Sequence, residues 1–182
     1  MPVIQTTPPL ANFPGSTDKV IITSGQFASV LLDGSGSHDP DDAHFSFAWS
    51  ENGIQLSSNE VTSVNLSLGD HKITFSLDDG FPLGTNSTSI EFEVISPAVA
   101  VARLSSLLQD SHGPDQVKQP LQASLSAAAA SFDRDHENAG INQLGAFQSK
   151  LSARPRQLDS DLRENLMQGA QLIIDELRAE EN

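Results

Sequence analysis

Two acidic loops carry the residue types with the clearest chemical potential. Asp39, Asp41 and Asp42 crowd one loop, and Asp78 and Asp79 crowd another. Calcium is a hard cation that takes six to eight oxygens from carboxylates, carbonyls and water, so paired acidic loops suit it if the fold brings them to one end. Asp, Gly and Ser are also ordinary turn formers that bond their own backbone, and Asp33 reads as such a turn cap.

Other reactive types are dispersed. His38, His44, His71, His112 and His136 show no i, i+4 pairing around an acid, and no Gly-x-Ser-x-Gly elbow occurs. Gly34-Ser35-Gly36-Ser37 lacks the lysine of a phosphate loop and reads as a turn. Asp133, Asp135, His136 and Glu137 form a polar cluster that reads as an interhelical turn. Lys150, Arg154 and Arg156 are the one basic concentration, and Phe81-Pro82-Leu83 places apolar residues in a loop. Nothing here assembles a catalytic site, and the expectation is a protein that is not an enzyme.

The elements that position these residues divide the 182-residue chain in two. Through Ser96 there are two lysines, eight aspartates and four glutamates, a charge of −10 against −4 beyond it, with seven of the nine phenylalanines and the single tryptophan. A total of −14 repels a phosphate backbone, which excludes nucleic acid as a partner. The absence of cysteine removes disulfides and thiol chemistry. No apolar run approaches the roughly 18 residues of a membrane helix, and Met1-Pro2 does not open an export signal.

From Val20 to Val94 apolar residues alternate with polar ones. Ala28, Val30 and Leu32 form one such set; Phe45, Phe47 and Trp49, then Val64, Leu66 and Leu68, then Ile73, Phe75 and Leu77, then Ile90, Phe92 and Val94 form the others. Period two with turn residues between predicts antiparallel strands. After Pro97 the spacing becomes helical: Val101, Leu104, Leu107 and Leu108; Val117, Leu121, Leu125, Ala128, Ala129 and Phe132; Ile141, Leu144, Phe147 and Leu151; Leu162, Leu166, Ala170, Ile173 and Leu177. Asp159-Ser160-Asp161 is capping chemistry for the last helix. The expected fold class is an all-β immunoglobulin-like sandwich plus a separate all-α four-helix bundle, over residues 8–96 and 97–182.

Pro9-Leu10-Ala11-Asn12, the unbroken run from Asp33 to Asp41, Phe47-Ala48-Trp49, and Leu68-Gly69-Asp70-His71-Lys72-Ile73-Thr74-Phe75-Ser76-Leu77-Asp78-Asp79-Gly80 together resemble a PKD domain. Trp49-Ser50-Glu51-Asn52-Gly53 stands where that family often has Trp-Asp-Phe-Gly-Asp-Gly. The resemblance implies a calcium ion shared by Asn12, Asp39, Asp41 and Asp78. Leu121-Gln122-Ala123-Ser124-Leu125, Gly140 to Phe147 and Ala170 to Leu177 are similar to a FIMAH domain, with Gln148 departing from that pattern.

The two resemblances together imply a non-catalytic accessory region of an exported or cell-surface bacterial protein, extracellular in location. It would act as a spacer and as an interaction module for protein or polysaccharide, beside neighbouring domains of a larger chain. The rival expectations are a structural subunit of an extracellular assembly, whose sheet edges self-associate, and a hydrolase with an unrecognised carboxylate pair.

Overall fold

The computed structural model describes residues 1–38, 46–80, 85–153 and 157–180. Among the described residues nine strands precede four helices. The strands are β1 (Gln5–Thr7), β2 (Ala11–Asn12), β3 (Lys19–Ile22), β4 (Phe27–Asp33), β5 (Ser46–Glu51), β6 (Ile54–Ser57), β7 (Val61–Ser67), β8 (Gly69–Asp78) and β9 (Asn86–Ile95). They form one sheet in the order β1-β4-β7 and another in the order β2-β3-β9-β8-β5-β6. Antiparallel pairing joins β4 to β7, β5 to both β6 and β8, and β8 to β9.

Alternation places Val30, Leu32 and Leu66 of the smaller sheet in one core with Trp49, Ile73, Phe75, Leu77 and Phe92 of the larger. Trp49 stacks on Phe75 at 4.1 Å, and its indole N–H donates to the Asn59 carbonyl at 2.9 Å. Burying the ring therefore leaves no polar atom unsatisfied. The Phe75 ring also explains the glycine after β4, because a Cβ on Gly34 would lie 2.3 Å from the ring edge. Leu68 departs from its expected inward set: β7 ends at Ser67, Leu68 is exposed, and Gly69 turns the chain with a φ of 128°.

The helices are α1 (Pro97–Asp110), α2 (Asp115–Phe132), α3 (Glu137–Ser152) and α4 (Ser160–Glu180). Ser96 caps α1, its hydroxyl accepting from the Val99 N–H at 3.3 Å, with Pro97 in the first turn where no donor is needed. Asp159 caps α4 by accepting from the N–H groups of Asp161 and Leu162. Pro120 lies inside α2 rather than at its start. Gly140 of α3 lies against Phe132, whose ring would be 2.3 Å from a Cβ there. Among the described residues no helix is long and apolar enough to cross a membrane.

Two compact units result. One holds Met1–Ala11, Asp18–Ile21 and Phe27–Val94, and the other holds Asn12–Thr17, Ile22–Gln26 and Ile95–Asn182. The expected all-β immunoglobulin-like sandwich plus separate all-α four-helix bundle is corrected accordingly: the chain is a mixed α and β fold, and its helical unit is not all-α. Segments 12–17 and 22–26 join that unit by contacts distant in sequence. A Cβ on Gly169 would lie 2.6 Å from Leu104 and 3.3 Å from Pro14, and one on Gly15 3.2 Å from Leu107. The Arg103 guanidinium donates to the Ser16 hydroxyl. The Ser24 N–H and hydroxyl both donate to the Glu180 carboxylate, at 3.0 and 2.7 Å. Such contacts leave no trace in local hydrophobic period.

Candidate functional site

The inward stripe of β8 runs Leu77, Phe75, Ile73 and then His71, so a titratable ring occupies the last core position of the strand. The stripe of β5 likewise runs Phe47, Trp49 and then Glu51, with Glu51 opposite Ile73 in register. Their side chains meet: His71 Nδ1 lies 2.6 Å from Glu51 Oε1, and His71 Nε2 lies 2.7 Å from the Ser67 carbonyl oxygen. A carbonyl only accepts, so Nε2 is the donor in that contact, and Nδ1 faces the Glu51 carboxylate within hydrogen-bond distance. His71 retains 7% side-chain exposure and Glu51 21%. A hydrogen bond between such partners is charge-assisted and directional, which fixes the ring against Phe92 at a centroid separation of 5.8 Å.

His71 of this pair lines a cleft of about 300 Å³ in the first unit, together with Asp18, Asn52, Asp70, Lys72, Glu91 and Phe92. Asn52 and Gly53 take positive φ values of 50° and 78° between β5 and β6, the conformation a tight two-residue hairpin turn requires. Lys72 faces outward on β8 opposite Glu91 on β9, and its ammonium donates to the Glu91 carboxylate at 2.6 Å. The cleft thus brings carboxylates, an amide and an ammonium together above a braced imidazole. Such groups accept from and donate to a polyhydroxylated ligand.

The sequence-derived ligands are placed less completely. Asn12 ends β2 in the second unit and is exposed. Asp78 ends β8 in the first, also exposed, and its Oδ1 accepts from the Gly80 N–H at 2.9 Å. Asp39 and Asp41 lie outside the described residues, as do Asp42, His44, Phe45, Phe81-Pro82-Leu83, Arg154 and Arg156. Among the described residues no three His, Asp or Glu side chains form a group able to hold a metal ion. Asp33 caps its turn, accepting from the Ser35 N–H at 2.8 Å, and its bonds to the Ser35 side chain and backbone hold its carboxyl below the ordinary value.

In the second unit, Asp133, Asp135 and His136 form the α2–α3 turn. Asp135 has a φ of 57°, and the N–H groups of Asp135 and His136 donate to the Phe132 and Ser131 carbonyls. Lys150 ties α3 to α2 by donating to the Ser124 hydroxyl at 2.6 Å. A shallow groove of about 590 Å³ between α3 and α4 is lined by Gly145, Gln148, Met167 and Gln171. Burial, with Glu180 and Asp175 nearby, pushes the Glu176 carboxyl on α4 above its ordinary value.

Sequence reasoning counted His71 among scattered histidines and did not single out Glu51, Asp18, Asp70 or Lys72. One signal was present: His71 shares the parity of Ile73, Phe75 and Leu77, so period two already puts a polar ring on a buried face. The partnership with Glu51, 20 residues away, is visible only in the folded sheet. No protein-family model matches the chain, and no curated protein matches it.

Proposed function

We propose that the chain is a non-catalytic accessory region of an exported or cell-surface bacterial protein, serving as a spacer and binding an extracellular polysaccharide through the cleft beside His71. The observation that carries this reading is the braced cleft itself. The His71 ring, held at both nitrogens, supports a rim on which Asp70, Lys72 and Glu91 present acceptors and a donor at fixed positions. Sugar hydroxyls both donate and accept, so such a rim offers them several hydrogen bonds without a nucleophile being required. The resemblances to PKD and FIMAH domains support the accessory role and the extracellular setting. Calcium held by Asn12, Asp39, Asp41 and Asp78 belongs to the same reading, as a clamp on acidic loops.

Calorimetric titration against neutral and acidic polysaccharides, with a lysine-rich peptide as the protein-ligand comparison, tests the reading. Measurable heat with a polysaccharide, reduced at least tenfold in affinity by Lys72→Met, is expected. Heat with the peptide alone, or binding insensitive to Lys72→Met, would reject the polysaccharide assignment.

A further inference from the structure

Sheet edges expose unpaired backbone donors and acceptors, and proteins blunt them by shortness, charge, proline or cover. Three of the four terminal strands here are short: β1 has three residues, β2 two and β6 four. The fourth, β7, has seven, Val61-Thr62-Ser63-Val64-Asn65-Leu66-Ser67, with neither charge nor proline. It pairs with β4 along its whole length on one side. Among the described residues its other side carries one hydrogen bond, from His71 Nε2 to the Ser67 carbonyl at the end of the strand, while the outward backbone groups of Ser63 and Asn65 have none. Val61 at its start is 41% exposed.

We infer that β7 is a self-pairing edge, and that its occupant is the β7 of a second copy of this chain, antiparallel about a two-fold axis at Val64. The sequence of the strand is complementary to itself in that register. Val64 meets Val64, Thr62 meets Leu66, Ser63 meets Asn65, and Val61 meets Ser67. Because the register is symmetric about one residue, side-chain parity is preserved. Thr62, Val64 and Leu66, the more buried set on β7, remain together on the core-facing side, and Ser63 and Asn65 meet on the outer side, where their polar groups can bond across strands. The two three-stranded sheets would then run on as one sheet, β1-β4-β7 continuing into β7-β4-β1 of the second copy. An uncharged strand is also where two chains of −14 approach with least repulsion. This inference does not rest on the proposed function: the cleft lies on β8, β9 and the β5–β6 turn and meets β7 only where His71 bonds the Ser67 carbonyl.

A single strand pair buries little area, so the association is weak and concentration-dependent. Like-charged copies make it stronger as salt rises. Sedimentation velocity over a wide concentration range at low and high salt tests it on three chains: the natural sequence, Ser63→Lys/Asn65→Lys, and Asn86→Lys/Ser87→Lys as a control of equal charge on exposed positions of β9. Expected is a monomer–dimer equilibrium strengthened by salt, weakened at least tenfold by the β7 lysines and not by the control. A chain that stays monomeric at the highest concentration would overturn the inference. So would association that both lysine pairs alter equally.

Discussion

Removing Glu51 and His71 singly and together measures the brace on which the cleft rests. A hydrogen bond to a charged partner contributes about 1.5–3 kcal/mol, and stripping one partner from a fully buried pair costs about 3–5 kcal/mol. Glu51 keeps 21% of its side-chain exposure against 7% for His71, so water re-solvates the carboxylate in part and the lower range applies. Glu51→Ala is expected to cost about 1–2 kcal/mol. His71→Ala is expected to cost about 2–4 kcal/mol, because it also leaves the Ser67 carbonyl unpaired and removes the ring that abuts Phe92. The double variant should cost less than the two together by about 1–2 kcal/mol, the coupling of contacting residues. Urea unfolding followed by Trp49 fluorescence is the assay, since this single tryptophan lies in the same core. Costs that add to within about 0.3 kcal/mol would show that the two side chains do not act on each other and would refute the brace.

Two alanine substitutions in α3 should have opposite signs. Gly145 has nothing within 4 Å of a built Cβ, so Gly145→Ala should stabilise by about 0.5–1 kcal/mol through helix propensity. Gly140→Ala forces a Cβ to within 2.3 Å of the Phe132 ring and should destabilise by about 1–2 kcal/mol net of the same gain; helical circular dichroism on denaturation would expose an error if both stabilise. Glu176 has a raised pKa when folded, from burial and then from Glu180 and Asp175. The folded state therefore takes up that proton first, and lowering pH from neutral through the folded value adds stability until the unfolded value is reached. Glu176→Gln should abolish this increment and, by relieving a like-charge i, i+4 pair, add about 0.2–0.5 kcal/mol at pH 7; a pH profile of helix melting unchanged by the substitution would count against it. Calcium should raise the melting temperature, with the rise lost in Asp39→Ala and Asp78→Ala, and equal melting with and without chelator would remove the ion.

The five longer strands and the four helices were legible because each carries its own period, whereas β1, β2, β3 and β6 are too short to show one. Ile73, Phe75 and Leu77 alternate into the core, and Leu144, Phe147 and Leu151 line a buried helical face as their spacing predicts. Leu68 failed because β7 ends at Ser67 and the chain turns at Gly69, leaving Leu68 exposed between them. The mixed character of the second unit was invisible, since Phe13 and Ile22 are buried but belong to segments too short to show a period. The cleft was half legible. Parity alone marks His71 as a polar residue on an apolar stripe, and Lys72 adjoins it in sequence, but Glu51 and Glu91 become its neighbours only through sheet register.

The most direct test of the polysaccharide-binding cleft is amide chemical-shift mapping during titration with the polysaccharide that gives heat. Perturbations confined to Asn52, Asp70–Lys72 and Glu91–Phe92, and lost in Lys72→Met without change in Trp49 fluorescence, are predicted. Perturbations centred on the α3–α4 groove around Gly145 and Gln171, with the cleft silent, would contradict the account.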